Sequence, residues 1–109
     1  MSDKQQPKPA PLPTPEMAEV RENIDQLDKQ LVALLRARLN WVEQAGKVKK
    51  QRQHVVDEAR IEEVVQNVLR EAKKQGLPEG LTEKLWRLLI DQSIEHEYSI
   101  YDAKSADKD

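Results

Sequence analysis

From Thr14 to about Lys50 an apolar residue recurs every three or four positions, and almost nothing in the stretch breaks a helix. The seam runs Val20, Ile24, Leu27, Leu31, Leu34, and the same steps continue through Arg38, Val42, Ala45 and Lys49. That spacing is the period of one helix face. Thr14-Pro15-Glu16 supplies the start: a capping hydroxyl, proline at the first helical position, then an acid in the first turn. Gly46 stands alone inside the pattern and costs about 1 kcal/mol relative to Ala, which a helix tolerates. A helix of about 35 residues is roughly 50 Å long. A compact domain of this size is only about 35 Å across, so such a helix needs a partner, most simply a second copy of the chain.

The rest of the chain is equally poor in breakers. Five of its six prolines fall between Pro7 and Pro15, and it has three glycines. Residues 1–13, with Pro7, Pro9, Pro11 and Pro13 alternating, read as a disordered or polyproline II tail. Residues 14–101 read as one all-α domain of three helices. "RQHVVDEAR" forms a connection in which Asp57 caps the second helix. That helix carries Ile61, Val64, Val65, Val68, Leu69 and Ala72 on one face and stops at Gly76-Leu77-Pro78. Thr82 is expected to cap the third, whose richer side is Leu85, Trp86, Leu89, Ile90, Ser93, Ile94 and Glu97. This helix is expected to end near Tyr101, leaving residues 102–109 as a flexible tail.

Composition narrows the function. Of the 109 residues, 35% are charged and 38% apolar, with no Phe, which is little core material for a monomer. A net charge of −2 is no footprint of a nucleic-acid binder. Without cysteine there is no disulfide framework, thiolate metal site or cysteine nucleophile. No apolar stretch reads as a signal peptide or a membrane span, so a cytoplasmic protein is expected. His54 and His96 lie far apart, no metal-ligand spacing is present, and neither a glycine-rich phosphate loop nor a nucleophile beside a base is visible. Neither a cofactor nor a metal is expected.

Two cations in line with leucines then stand out. Arg38 and Lys49 lie eleven residues apart on one face, with Cα atoms roughly 16 Å apart. Taken singly, each is explained by snorkelling from the stripe's edge or by fixing register. Taken together, they suit a small ligand with two separated anionic groups, the arginine as a bidentate fork and the lysine as a mobile charge. Ser93 and Glu97 stand one turn apart on the third helix, and Arg60 lies in the first turn of the second.

"VRENIDQLDKQLVALLRARLNWVEQAGKVK" resembles the first helix of the all-helical (AroQ-class) chorismate mutases. "VVDEARIEEVV" is similar to that family's Asp-x-x-Arg segment, and "LWRLLIDQSIEHE" to its third helix, which ends in a serine and, four residues on, a Gln or Glu. The likeness covers about residues 17–100. It implies an intertwined homodimer of three-helix chains that rearranges chorismate to prephenate without a cofactor, in aromatic amino-acid biosynthesis. It also implies substrate-binding roles for Arg21, Arg38, Lys49, Asp57, Arg60, Ser93 and Glu97, with Arg38, Lys49 and Glu97 closest to the chemistry. Arg21 and Arg38 are about 25 Å apart along one helix; in the family the first arginine serves the other protomer's site.

Two positions depart from the family pattern. Ile61 stands where many members carry a Glu for the substrate's ring hydroxyl, a feature shared with the isochorismate-pyruvate lyase branch. Glu97 stands where many bacterial members have Gln, and a carboxylate must be protonated before it can donate to an ether oxygen. The connection from Lys49 to Asp57 is one residue shorter than in some relatives. The alternatives are thus the lyase, a mutase for an amino-substituted chorismate, and a non-catalytic helical dimer.

Overall fold

The computed structural model describes residues 14–107, which form α1 (Pro15–Val48), a 3-10 turn (Arg52–His54), α2 (Glu58–Gln75) and α3 (Glu79–Asp107). The described residues contain no strand, so the fold is all-α as expected. The expected Pro-rich tail, residues 1–13, lies outside the described residues. The chain divides into two compact units after Leu35.

The first unit is described from Thr14. The Thr14 Oγ1 accepts a hydrogen bond from the Met17 amide at 3.0 Å, satisfying one of the donors that a helix start leaves free. From Thr14 to Leu35 every residue is exposed, the seam of Val20, Ile24, Leu27, Leu31 and Leu34 included.

In the second unit, α2 and α3 form a hairpin. Asp57, in extended conformation, accepts from the Arg60 amide at 3.0 Å and caps α2. At the other end Gly76 adopts φ 75°, a left-handed conformation that suits glycine, and the Leu77 amide bonds back to the Ala72 carbonyl at 2.8 Å. All six apolar residues expected on the α2 face are buried or half-buried, with Val65 and Ala72 at its centre. Arg87 of α3 bridges to Glu62 of α2 at 3.0 and 3.1 Å and braces the pair from outside.

Three expectations for α3 are corrected. The helix begins at Glu79, so Thr82 is not its cap. Pro78 offers its carbonyl as the first acceptor, and both the Thr82 amide (3.0 Å) and its hydroxyl (2.8 Å) donate to it. Leu85 faces outward, 49% exposed, in an outer row with Leu81 and Leu88. The helix also runs on to Asp107 instead of fraying after Tyr101, since no breaker occurs there and Asp102 and Lys104 are anchored to the connection after α1 and to the end of α1.

The last part of α1 runs parallel to α3: Arg38 meets Ser93, Glu43 meets His96, and Gly46 meets Glu97 and Ile100. Gly46 is the one buried residue of α1. A Cβ there would come within 3.0 Å of the Ile100 side chain and 3.1 Å of the Glu97 carbonyl oxygen. The glycine that sequence alone marks as a tolerated defect is what lets the two helices touch.

Candidate active site

Where this contact, the connection and the start of α2 meet, the second unit forms an open-sided cavity of about 360 Å³, within the size range of small-molecule sites. Its walls are apolar: Val42, Ala45, Val55, Ile61, Val64, Ile90 and Ile94. Trp41 also lines it while remaining 76% exposed. Six of the seven expected site residues converge on it: Arg38, Lys49, Asp57, Arg60, Ser93 and Glu97. Arg21 belongs to the first unit and is not among the lining residues. A second hollow, of about 660 Å³, lies beside the connection, with mainly exposed polar residues around it.

Each charged group of the first cavity, and its serine, has a partner. Arg38 donates from Nη1 to the Ser93 Oγ at 2.7 Å, and that hydroxyl passes its single proton to the Leu89 carbonyl, also at 2.7 Å. Ser93 therefore orients the guanidinium rather than pointing a proton into the cavity. Partial burial, and then the nearby charge of Arg60, pull the Arg38 pKa below its ordinary value; the guanidinium nevertheless stays cationic. Lys49 forms an ion pair with Glu97, which is only 8% exposed. Asp57 spends one carboxylate oxygen on the α2 cap. Arg60 is exposed and pairs its guanidinium with Glu63 at 2.6 Å, while its backbone amide is the donor to Asp57.

Sequence reasoning missed several neighbours. Glu43 binds His96 at 2.8 Å and Arg36 at 3.1 Å, and those two contacts, His96 first, hold its carboxyl below the usual range. Glu43 and His96 are 53 positions apart, and no local pattern connects them. Val55, 5% exposed, plugs the connection into the core and was hidden within a polar stretch. Trp41 carried a usable signal, a large aromatic beside the seam position Val42. Among the described residues, no group of three or more His, Cys, Asp or Glu is placed to hold a metal ion. None of their helices is long and apolar enough to cross a membrane.

The second unit thus combines a small, largely apolar cavity with cations at its edge in an all-helical chain. The family model for chorismate mutase type II matches residues 20–98, and the chain belongs to that family. Membership makes it an enzyme of the isomerase class, with a chorismate-type substrate. No curated protein matches the chain.

Proposed function

We propose that the chain rearranges chorismate to prephenate in the Arg38–Lys49 cavity, by holding the reactive conformer and stabilising the charge that separates as the ether bond breaks. The observation that carries this reading is the convergence of Arg38 of α1 and Lys49, the residue just after α1, on an apolar cavity that also holds Ser93 and Glu97. The reaction breaks one C–O bond and forms one C–C bond within a single molecule. It needs neither a nucleophile nor a base, and preorganised positive charge in a dry site is the effective means of lowering its barrier.

In this reading Arg38, held by Ser93, grips one carboxylate. Lys49 leaves its resting partner Glu97 to face the other carboxylate and the ether oxygen. Arg60 swings from Glu63 to the outer end, while Asp57 keeps the cap that holds α2 in place. Glu97, once protonated, donates to the ether oxygen. Turnover is then expected to rise toward acid pH, and Glu97→Gln, which donates at every pH, to flatten the profile. An identical profile in the two proteins would remove Glu97 from this role.

The exposed apolar seam of α1 supports a second copy, since it suits pairing with its equivalent in another chain, and by the family likeness Arg21 of that chain adds a further cation to the site. While Glu97 is ionised, Arg38, Lys49 and Arg60 against Asp57 and Glu97 leave one net positive charge, one short of a dicarboxylate, and protonation of Glu97 removes that deficit. The homodimer would carry two such composite sites, in keeping with a cytoplasmic enzyme of aromatic amino-acid biosynthesis.

One observation favours a second reading. Ile61 lines the cavity where an acid would meet the ring hydroxyl, and so an isochorismate-pyruvate lyase remains the alternative. Purified protein mixed separately with chorismate and isochorismate, with prephenate, salicylate and pyruvate followed, tests both. Prephenate from chorismate is expected; salicylate and pyruvate from isochorismate alone would transfer the assignment to the lyase. No consumption of either would leave a non-catalytic dimer.

A further inference from the structure

The last turns of α3, beyond the stretch matched by the family model, are tied to the end of α1 more densely than a flexible tail requires. The final carbonyls of a helix lack partners within it and carry its negative end. Chains commonly solve this with a left-handed glycine, but the one positive φ among the described residues is at Gly76, far from this helix end. Lys104 takes that place from another helix. Its ammonium donates to the carbonyls of Gly46 (3.2 Å), Lys47 (3.0 Å) and Lys49 (2.5 Å). An ammonium has three donors and no acceptor, so these three carbonyls fill its capacity.

The neighbouring contacts repeat the pattern. The Tyr101 hydroxyl donates to the Lys50 carbonyl at 3.2 Å, and Arg52 meets Asp102 at 3.0 Å while lying 4.3 Å over the Tyr98 ring. Along α3, Ser93, Glu97, Tyr101 and Lys104 follow steps of four, four and three, so one face reaches first Arg38, then the Lys49 side chain, then the backbone on either side of it. Lys49 is thereby held twice by α3, at its ammonium by Glu97 and at its carbonyl by Lys104. When substrate draws the ammonium away from Glu97, the backbone hold alone keeps the residue aimed.

We propose that Lys104 is a positioning residue for Lys49, capping the end of α1 from α3 so that the Lys49 ammonium enters the cavity from a fixed backbone. The proposal rests on the reading that Lys49 meets the substrate. A side chain with a long stem near the chain's end acts here without touching the ligand.

Lys104→Met keeps the stem and removes the donors; Lys104→Arg keeps the cation and several donors. In the full-length chain, Lys104→Met is expected to lower kcat/KM for chorismate about tenfold, and Lys104→Arg to restore it to within about threefold. Backbone amide exchange is read alongside. In Lys104→Met the amides of Lys49, His54 and Val55, each hydrogen-bonded at this end of the molecule, should exchange faster, while that of Leu77 at the opposite hairpin should not change. Should Lys104→Met fail to fold, Tyr101→Phe, which deletes only the hydroxyl on the Lys50 carbonyl, should show the same pattern at about two- to threefold. Unchanged exchange at those amides, or faster exchange with unchanged turnover, would overturn the proposal. Wild-type protein that leaves chorismate untouched would instead sink the mutase reading, and amide exchange would then decide the cap by itself.

Discussion

The two parts of α1 carry the same 4-3 pattern and meet opposite fates. Between Thr14 and Leu35 the seam is leucine-rich and wholly exposed. Between Arg36 and Val48 the seam is poorer in large apolar residues, yet Arg38, Val42 and Ala45 are half-buried and Gly46 is buried. If apolarity alone set burial, the order would be reversed. What differs is the availability of a neighbour: α3 lies against the later part, and Gly46 lets it come close. An apolar stripe therefore records a need for a partner, while burial records that one is present.

The largest expected effect tests the buried part. Replacing Arg38 or Lys49 with alanine should lower kcat/KM roughly 10²- to 10³-fold, the usual cost of removing one preorganised charge from a transition state. Normal folding in circular dichroism would accompany that loss. Turnover within threefold of wild type would show that the cavity's cations are ordinary edge charges.

Next comes the exposed part. In the proposed homodimer, Leu27→Asp should weaken self-association on the order of a hundredfold, because a carboxylate would have to enter an apolar interface. Sedimentation analysis over a range of concentrations reads this directly, and activity should fall with the dimer. A variant that sediments as wild type would mean that the seam needs no second copy.

Gly46→Ala sharpens the comparison at the boundary. Overpacking against Ile100 and the Glu97 carbonyl should cost about 1–3 kcal/mol, offset by up to about 1 kcal/mol of helix propensity. Thermal melting should therefore show a net loss, and the neighbouring Lys49–Glu97 pair should be displaced. A stabilised Gly46→Ala protein would show that this close approach relaxes freely.

The smallest effect concerns Glu43. Its bonds to His96 and Arg36 depress its pKa in the folded chain below the ordinary 4.5, so the unfolded chain binds that proton more readily. The stability it adds is complete above the unfolded value and is lost as pH falls through the folded one. The difference in melting temperature between wild type and Glu43→Gln should thus be present at neutral pH and shrink progressively as pH falls below the ordinary 4.5. A gap that persists into acid would locate the effect in packing rather than charge.

Much of the architecture was legible locally. Thr14, Asp57 and Gly76 cap where their types and neighbours imply, and the α2 face is buried as its spacing requires. Periodicity also brought Arg38 and Lys49 to one side of the expected first helix, and family likeness named Asp57, Arg60, Ser93 and Glu97 among the other cavity residues. Thr82 and Leu85 were misread for a shared reason. A hydroxyl accepts or donates, and a leucine faces in or out, according to what the adjoining chain presents.

The sequence by itself determined three helices, most of their ends, and a long seam that changes from leucines to cations. Those are consequences of backbone geometry and of side chains within four residues of one another. Tertiary structure alone decided that Ser93 would aim Arg38, that Gly46 would be a contact, that Glu43 would meet His96, and that Lys104 would close the end of α1. Each of these joins residues about fifty positions apart at hydrogen-bond or van der Waals distance. Only the packing of α1 on α3 brings such residues together, and one chain's local pattern carries no record of it.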